Sequence, residues 1–229
     1  MAFESRAEVF DDIAPHPEGV DPDDELIHER AYVVRAYRKA PDILVLRGSV
    51  RDQKPPGLYV PTDPEPLTVH HMIIDLHIAV PSLEILSAKA VLETHPHASC
   101  TKIEGHYDKL VGLSIARGFT HKVRELFGGP RGCTHTTALL QAMAPVAVQS
   151  MWSVRVAQAR ESGDKIGAFA TAEGRERGLM MNLNTCHIWA EDGDQVRSIL
   201  AGEPMEVPVW IVKRFNQLGI DPTTWRNSD

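Results

Sequence analysis

The chain has 229 residues, 43% of them apolar and 24% charged, with a net charge of −7 and a pI near 5.9. That composition suits a soluble globular protein with room for a sizeable core, and an acidic chain without a basic stripe excludes nucleic acid and anionic membrane surfaces as natural partners. No run approaches the length of a membrane span, and three cysteines without a secretion signal point to reduced thiols in the cytoplasm.

Residues 1–28 are acidic and broken by Pro15, Pro17 and Pro22, which predicts an extended arm able to wrap the domain itself or, in a homo-oligomer, a neighbouring subunit. From residue 29 a single α+β domain is expected to run to residue 229. Period-two alternation predicts strands over 32–37 and 43–50 around the turn Lys39-Ala-Pro-Asp42. Residues 54–66 hold five prolines and Tyr59, and predict an irregular loop able to cover a pocket. Strands over 70–80 and 85–93 complete two consecutive hairpins in an antiparallel sheet. Helices follow at 109–115, 120–127 and 134–160, the last long and kinked at Pro145. Segment 161–178 reads as a loop, 179–189 as a strand and 209–218 as a terminal helix. The fold class is α+β, with the helices packed on one face of the sheet.

Chemistry concentrates in two places. Gly128-Gly-Pro-Arg-Gly-Cys-Thr-His135 ends one helical segment and starts the next, with Thr134 as the expected N-cap. Cys133 and His135 therefore fall where unpaired N–H groups and the positive end of a helix dipole meet, a setting that depresses thiol pKa. The second place is the strand at 70–80. Alternation puts His71, Ile73, Asp75 and His77 on one face and His70, Met72, Ile74, Leu76 and Ile78 on the other. Asp75 is spaced to orient His77, and two histidines with an aspartate are an unusual filling for a merely wet sheet face.

Several short motifs follow in a familiar order: Arg51-Asp-Gln-Lys-Pro55, His70-x-Met72, Cys100, Lys122 through His135, and Leu183-Asn-Thr-Cys-His187. Over residues 29–200 this resembles the bacterial domain of unknown function 2889, the Gly-Gly-x-x-Gly-Cys-Thr-His string being the most specific part. The resemblance marks Asp52, Lys54, His70, Arg124, Cys133, His135 and Cys186 as positions matching the family pattern. His71, Asp75 and His77 depart from it. The family name carries no activity; its occurrence in bacteria that degrade aromatics implies a small aromatic substrate.

There is no G-x-S-x-G elbow, no phosphate-binding loop, and no strand before the glycine cluster to make it a dinucleotide fingerprint. No organic cofactor is therefore expected. The acid–base row points to a cofactor-independent acid–base lyase, and the resemblance adds a phenolic compound as its substrate, cleaved for example by a retro-aldol carbon–carbon step that releases formaldehyde. His71, Asp75, His77 and His135 are the expected catalytic groups. Tyr59, Arg124 and Lys54 are the expected substrate contacts, although Asp52 with Lys54 or Arg124 also reads as a structural ion pair. Two rivals stay open. Cys100, Cys133, His135 and Cys186 offer a Cys/His set for a zinc-dependent hydrolase or lyase, though without C-x-x-C or H-E-x-x-H spacing. The other rival is a non-catalytic binding or assembly protein that uses the acidic arm. His70, on the apolar face, reads as a core residue.

Overall fold

The computed structural model describes residues 24–116, 118–163, 172–203 and 206–226. The expected acidic arm lies outside the described residues up to position 23. Contacts divide the chain into two units, Met1–Met151 and Trp152–Asp229, and each is taken by itself below.

The first unit opens with four strands: β1 (Glu29–Ala40), β2 (Ile43–Lys54), β3 (Leu67–Ala79) and β4 (Ile85–Thr94). They pair antiparallel in the order β1-β2-β3-β4, the α+β meander that the alternation predicts. The strands run longer than their apolar stretches, because a ladder continues wherever a partner strand offers its N–H and C=O groups. Register sets the two faces. Leu44, Leu46, Gly48, Val50 and Asp52 oppose Ile78, Leu76, Ile74, Met72 and His70, and across the next ladder Leu76, Ile74 and Met72 oppose Ala88, Ala90 and Leu92.

That face carries the core. Leu46, Val50, Ile74, Leu76 and Ile78 are fully buried, together with Leu139, Leu140, Met143 and Ala147 of the long helix. Gly48 shows how close helix and sheet come. A Cβ placed there would stand 2.5 Å from Met143 Sδ and 3.1 Å from Leu139 Cδ1, so the helix rests where β2 has no side chain. Each buried aliphatic side chain contributes on the order of 2 kcal/mol through removal of apolar area from water.

After β4, Cys100–Leu110 winds as a 3₁₀ segment, then α1 (Phe119–Phe127), a one-turn 3₁₀ piece at Gly129–Arg131, and α2 (Thr134–Ser162). The helix expected at 109–115 is absent: the helical turns come earlier, as 3₁₀, and end at Leu110. In α1, Phe119, Val123 and Phe127 recur at helical spacing and are all buried. α2 continues through Pro145 as one helix.

The second unit holds the rest of α2, then α3 (Ala172–Asn182), a 3₁₀ turn at His187–Trp189, α4 (Asp194–Leu200), α5 (Val209–Leu218) and a 3₁₀ segment Pro222–Arg226. The strand expected at 179–189 is instead the end of α3 and the following turn. Such a short apolar run carries no period that separates strand from helix. Among the described residues no helix is long and apolar enough to cross a membrane.

Candidate active site

The site grows from one cross-strand row. Arg30 on β1 pairs with Asp52 on β2, which pairs with His70 on β3, so three polar side chains line up at one end of the helix-facing surface. Asp52 is 2% exposed, a burial that a carboxylate tolerates only when it is paired. Arg30 supplies the pairing as a fork, with Nε 2.6 Å from Oδ1 and Nη2 2.7 Å from Oδ2. His28 Nε2 lies 3.8 Å from Oδ1.

His135 joins from the helix. The turn before it needs glycine: a Cβ on Gly128 would run into the Arg124 carbonyl, one on Gly132 into the Phe127 carbonyl, and Gly129 takes a φ of 60°. Thr137 Oγ1 donates to the Phe127 carbonyl at 3.1 Å and ties the new helix to the old one. The Thr137 N–H donates to the Cys133 carbonyl at 2.9 Å, so Cys133, rather than Thr134, takes the capping position. The Cys133 N–H donates to Tyr107 Oη at 3.2 Å, which anchors the turn to the 3₁₀ segment. That segment is itself tied to β4, where the Leu92 N–H donates to Glu104 Oε1 at 2.7 Å.

Two residues into α2, His135 bridges both sides. Its Nε2 lies 2.9 Å from Asp52 Oδ2, and its Nδ1 lies 3.8 Å from Cys133 Sγ. With Nε2–H donated to the carboxylate, Nδ1 is the nitrogen left to exchange a proton with the thiol. The His70 ring stacks on His135, with centroids 4.1 Å apart and planes 27° apart. His70 Nδ1 approaches Asp52 Oδ2 to 3.3 Å, but misaligned, and is a buried nitrogen without a hydrogen bond.

The electrostatics follow from these contacts. Burial pushes the Asp52 carboxyl up, but hydrogen bonds from Arg30 and His135 outweigh it and hold the group well below the usual carboxylate range. Burial likewise pushes the Cys133 thiol up. The hydrogen bond with His135 and the N–H groups of Thr136 and His135 more than offset that and bring it down to about 7. His135 is raised, chiefly by Cys133 and secondarily by Asp52, against the opposing effect of burial. His70 is lowered by burial and by the charge of its neighbour His135. The two shifts bring thiol and imidazole closer in acidity and favour the thiolate–imidazolium form of the pair.

A cavity of about 380 Å³ opens onto this pair. Met72, Leu92, Pro96 and Ile103 supply apolar walls; His70, Ser99, Cys100, Cys133, Thr134 and His135 supply polar ones. Its size and mixed lining suit a small, partly apolar molecule.

Of the residues expected to act together, His135 alone faces this cavity. His71, Asp75 and His77 belong to the opposite face of the sheet, because Met72, Ile74 and Leu76 between them point into the core. There His71 Nε2 lies 2.9 Å from Ser49 Oγ and its Nδ1 pairs with Glu93. Asp75 forks onto Arg47 at 2.7 and 2.6 Å, and not onto His77. The expected pocket floor of His71, Asp75 and His77 beneath His135 does not form, since a one-residue step along a strand changes its face. Lys54 Nζ sits 5.5 Å from the centre of the exposed Tyr59 ring, and Arg124 Nη2 reaches Gln141 Oε1 at 3.4 Å; none of these three lines the cavity. Asp52 pairs with Arg30 rather than with Lys54 or Arg124. Cys100 shares the cavity wall with Cys133, whereas Cys186 is exposed and belongs to the second unit.

Sequence reading missed Arg30 as the partner of Asp52, and the role of His70. Counting outward from the Pro41-Asp42 turn puts Ala31 opposite Asp52; a one-residue irregularity between Arg38 and Ala40 shifts the register and brings Arg30 there instead, a shift that the alternation does not reveal. Asp52, His70 and His135 present ligand atoms all within 4.8 Å of one another, a spacing that suits a metal ion. Two features give the cluster a different character. Both Asp52 oxygens already fork onto Arg30, and His135 Nε2 is itself hydrogen-bonded to Asp52 Oδ2 at 2.9 Å, so the donor atoms are engaged with one another.

The family described as protein of unknown function (DUF2889) matches residues 28–149, more than half of the chain, and the protein belongs to that family. The match takes in the sheet, the glycine turn and the cavity; it ends before Cys186 and His187, which the resemblance had included. No curated protein matches the chain, and no solved structure does.

Proposed function

We propose that the protein is a cofactor-independent acid–base lyase, with Cys133, His135 and Asp52 as its reactive unit. The observation that carries this reading is His135, hydrogen-bonded to a buried, ionised carboxylate on one nitrogen and facing a thiol on the other at the wall of a cavity. Such a pair supplies a base and an acid together. The thiolate takes a proton while the imidazolium, stabilised by Asp52, gives one.

The substrate class that fits is a small phenolic compound bearing a hydroxymethyl group on a benzylic carbon conjugated with the ring. Met72, Leu92 and Ile103 offer apolar surface to a ring, and the thiolate lies at the polar end. In a retro-aldol step, Cys133 Sγ takes the hydroxyl proton, the carbon–oxygen double bond of formaldehyde forms and the adjacent carbon–carbon bond breaks. The electron pair left on carbon spreads into the conjugated ring system, and His135 returns a proton.

The test is to incubate the purified protein with hydroxymethyl-bearing phenolics and to measure formaldehyde and the shortened product by mass spectrometry. Release by the wild type and its loss in His135→Gln support the proposal; no release from any member of the class removes it. Metal analysis of the same preparation addresses the zinc-dependent rival, which a stoichiometric zinc lost in Cys133→Ala would favour.

A further inference from the structure

We propose that Cys133 is a covalent nucleophile toward conjugated carbon electrophiles, such as α,β-unsaturated carbonyl compounds, that enter the cavity beside it. The proposal uses the site described above but needs no lyase turnover.

The geometry is that of an activated thiol rather than of a small buried residue. Cys133 caps a helix of 29 residues, so the first peptide N–H groups, those of His135 and Thr136, face its sulfur. His135 Nδ1 lies 3.8 Å from Sγ, and Asp52 fixes the imidazole through its other nitrogen at 2.9 Å. The base and the orienting carboxylate sit on two elements packed on the shared core, α2 and β2, and the nucleophile caps α2. Tyr107 Oη fixes the Cys133 backbone from the 3₁₀ segment. The other titratable groups facing the site are Arg30, bound to Asp52, His28, 3.8 Å from the same carboxylate, His70, stacked on His135, and Cys100 in the cavity lining.

A thiolate is a soft nucleophile and prefers polarisable carbon, and the cavity offers an apolar bed for the rest of such a molecule at Met72, Leu92 and Ile103. The step balances without a further reactant. Sγ bonds to the β-carbon, and the π pair moves through the conjugated system onto the carbonyl oxygen. The resulting enolate takes the proton from His135 Nδ1, leaving a thioether and a neutral imidazole.

The three cysteines provide an internal control. The full-length protein is treated at pH 7 with limiting N-ethylmaleimide, a conjugated dicarbonyl, and the modified cysteine is located by peptide mass mapping over time. Cys133 is expected to react about tenfold faster than an ordinary thiol, and ahead of the exposed Cys186. His135→Gln and Asp52→Asn are expected to slow Cys133 without slowing Cys186, with circular dichroism confirming that each variant folds. Labelling of Cys186 first, or a Cys133 rate indifferent to His135→Gln in a folded variant, would overturn the assignment. Because labelling requires no substrate turnover, a protein that adds maleimide at Cys133 but releases no formaldehyde would refute the lyase reading alone.

Discussion

His135 and Asp52 stand 83 positions apart in the chain and 2.9 Å apart in space, and their hydrogen bond joins the helix to the sheet. Asp52 makes no contact with the cavity, so its influence on chemistry passes through His135.

This separation of roles predicts a graded series. Asp52→Asn keeps the shape but loses the charge that holds the imidazolium, and turnover of the true substrate should fall by about 10²-fold or more, as for loss of a positioned acid–base group. His135→Gln should fall at least as far. His77→Ala, on the opposite face of the sheet, should leave turnover within about twofold, the ordinary tolerance of a surface change away from a site. Steady-state kinetics on the three variants decides between this site and one on the outer face.

The pH profile should be bell-shaped. The thiol of Cys133 sits at about 7, so activity that needs the thiolate rises as pH climbs through that value. The imidazolium of His135, raised above its ordinary 6.5, is lost at higher pH, and activity falls with it. Asp52→Asn should pull the descending limb towards lower pH, because the carboxylate that favours the charged ring is gone. A profile of log kcat/KM against pH for wild type and variant checks both limbs.

Acid stability should carry the mark of Asp52. Its folded pKa lies below its ordinary value of 3.8, so its contribution to stability is complete above the unfolded value and is lost as pH falls through the lower, folded one. Asp52→Asn should cost about 1–3 kcal/mol near pH 7, the range for a buried hydrogen-bonding partner removed from its mate. The gap in Tm between wild type and variant should narrow below about pH 4 as the wild-type carboxylate protonates. Calorimetry from pH 7 down to pH 3 measures it.

Gly48 gives a test of the packing beneath the site. Gly48→Ala drives a methyl group against Met143 Sδ and should destabilise by about 1–3 kcal/mol, although alanine in a strand is otherwise no worse than glycine. Met143→Ala vacates that space. Denaturant unfolding of both single variants and the double variant should therefore show a double variant more stable than the sum of the two losses predicts.

Much of the sheet was legible because β2 and β3 write their two faces in period two, with Leu44, Leu46 and Val50 against Met72, Ile74 and Leu76. The glycine turn and the helix at Thr134 were legible for a related reason: close approach and positive φ both demand glycine at Gly128, Gly129 and Gly132. The site itself was half legible. His135 and the acidified thiol follow from the helix terminus, but nothing in that segment reveals that Asp52, 83 positions away, anchors the imidazole. The choice of sheet face went astray on residue type. His71, Asp75 and His77 look like a reactive row, yet on an open face Asp75 simply meets Arg47 across the ladder. His70 looked like core and is the one that stacks on His135. What alternation within one strand cannot convey is which residue stands opposite in the next, and Arg30–Asp52–His70 exists only across three strands.

That row has a further consequence. β1 lies at the edge of the sheet, and it carries the guanidinium that keeps Asp52 ionised. If β1 frays, Asp52 loses its fork, His135 loses its anchored counter-charge, and the thiol drifts back towards an ordinary acidity. The acidity of the reactive pair therefore leans on an edge strand that contributes no residue to the cavity lining. A ligand or subunit that clips β1 in place, or peels it away, would tune the chemistry from outside.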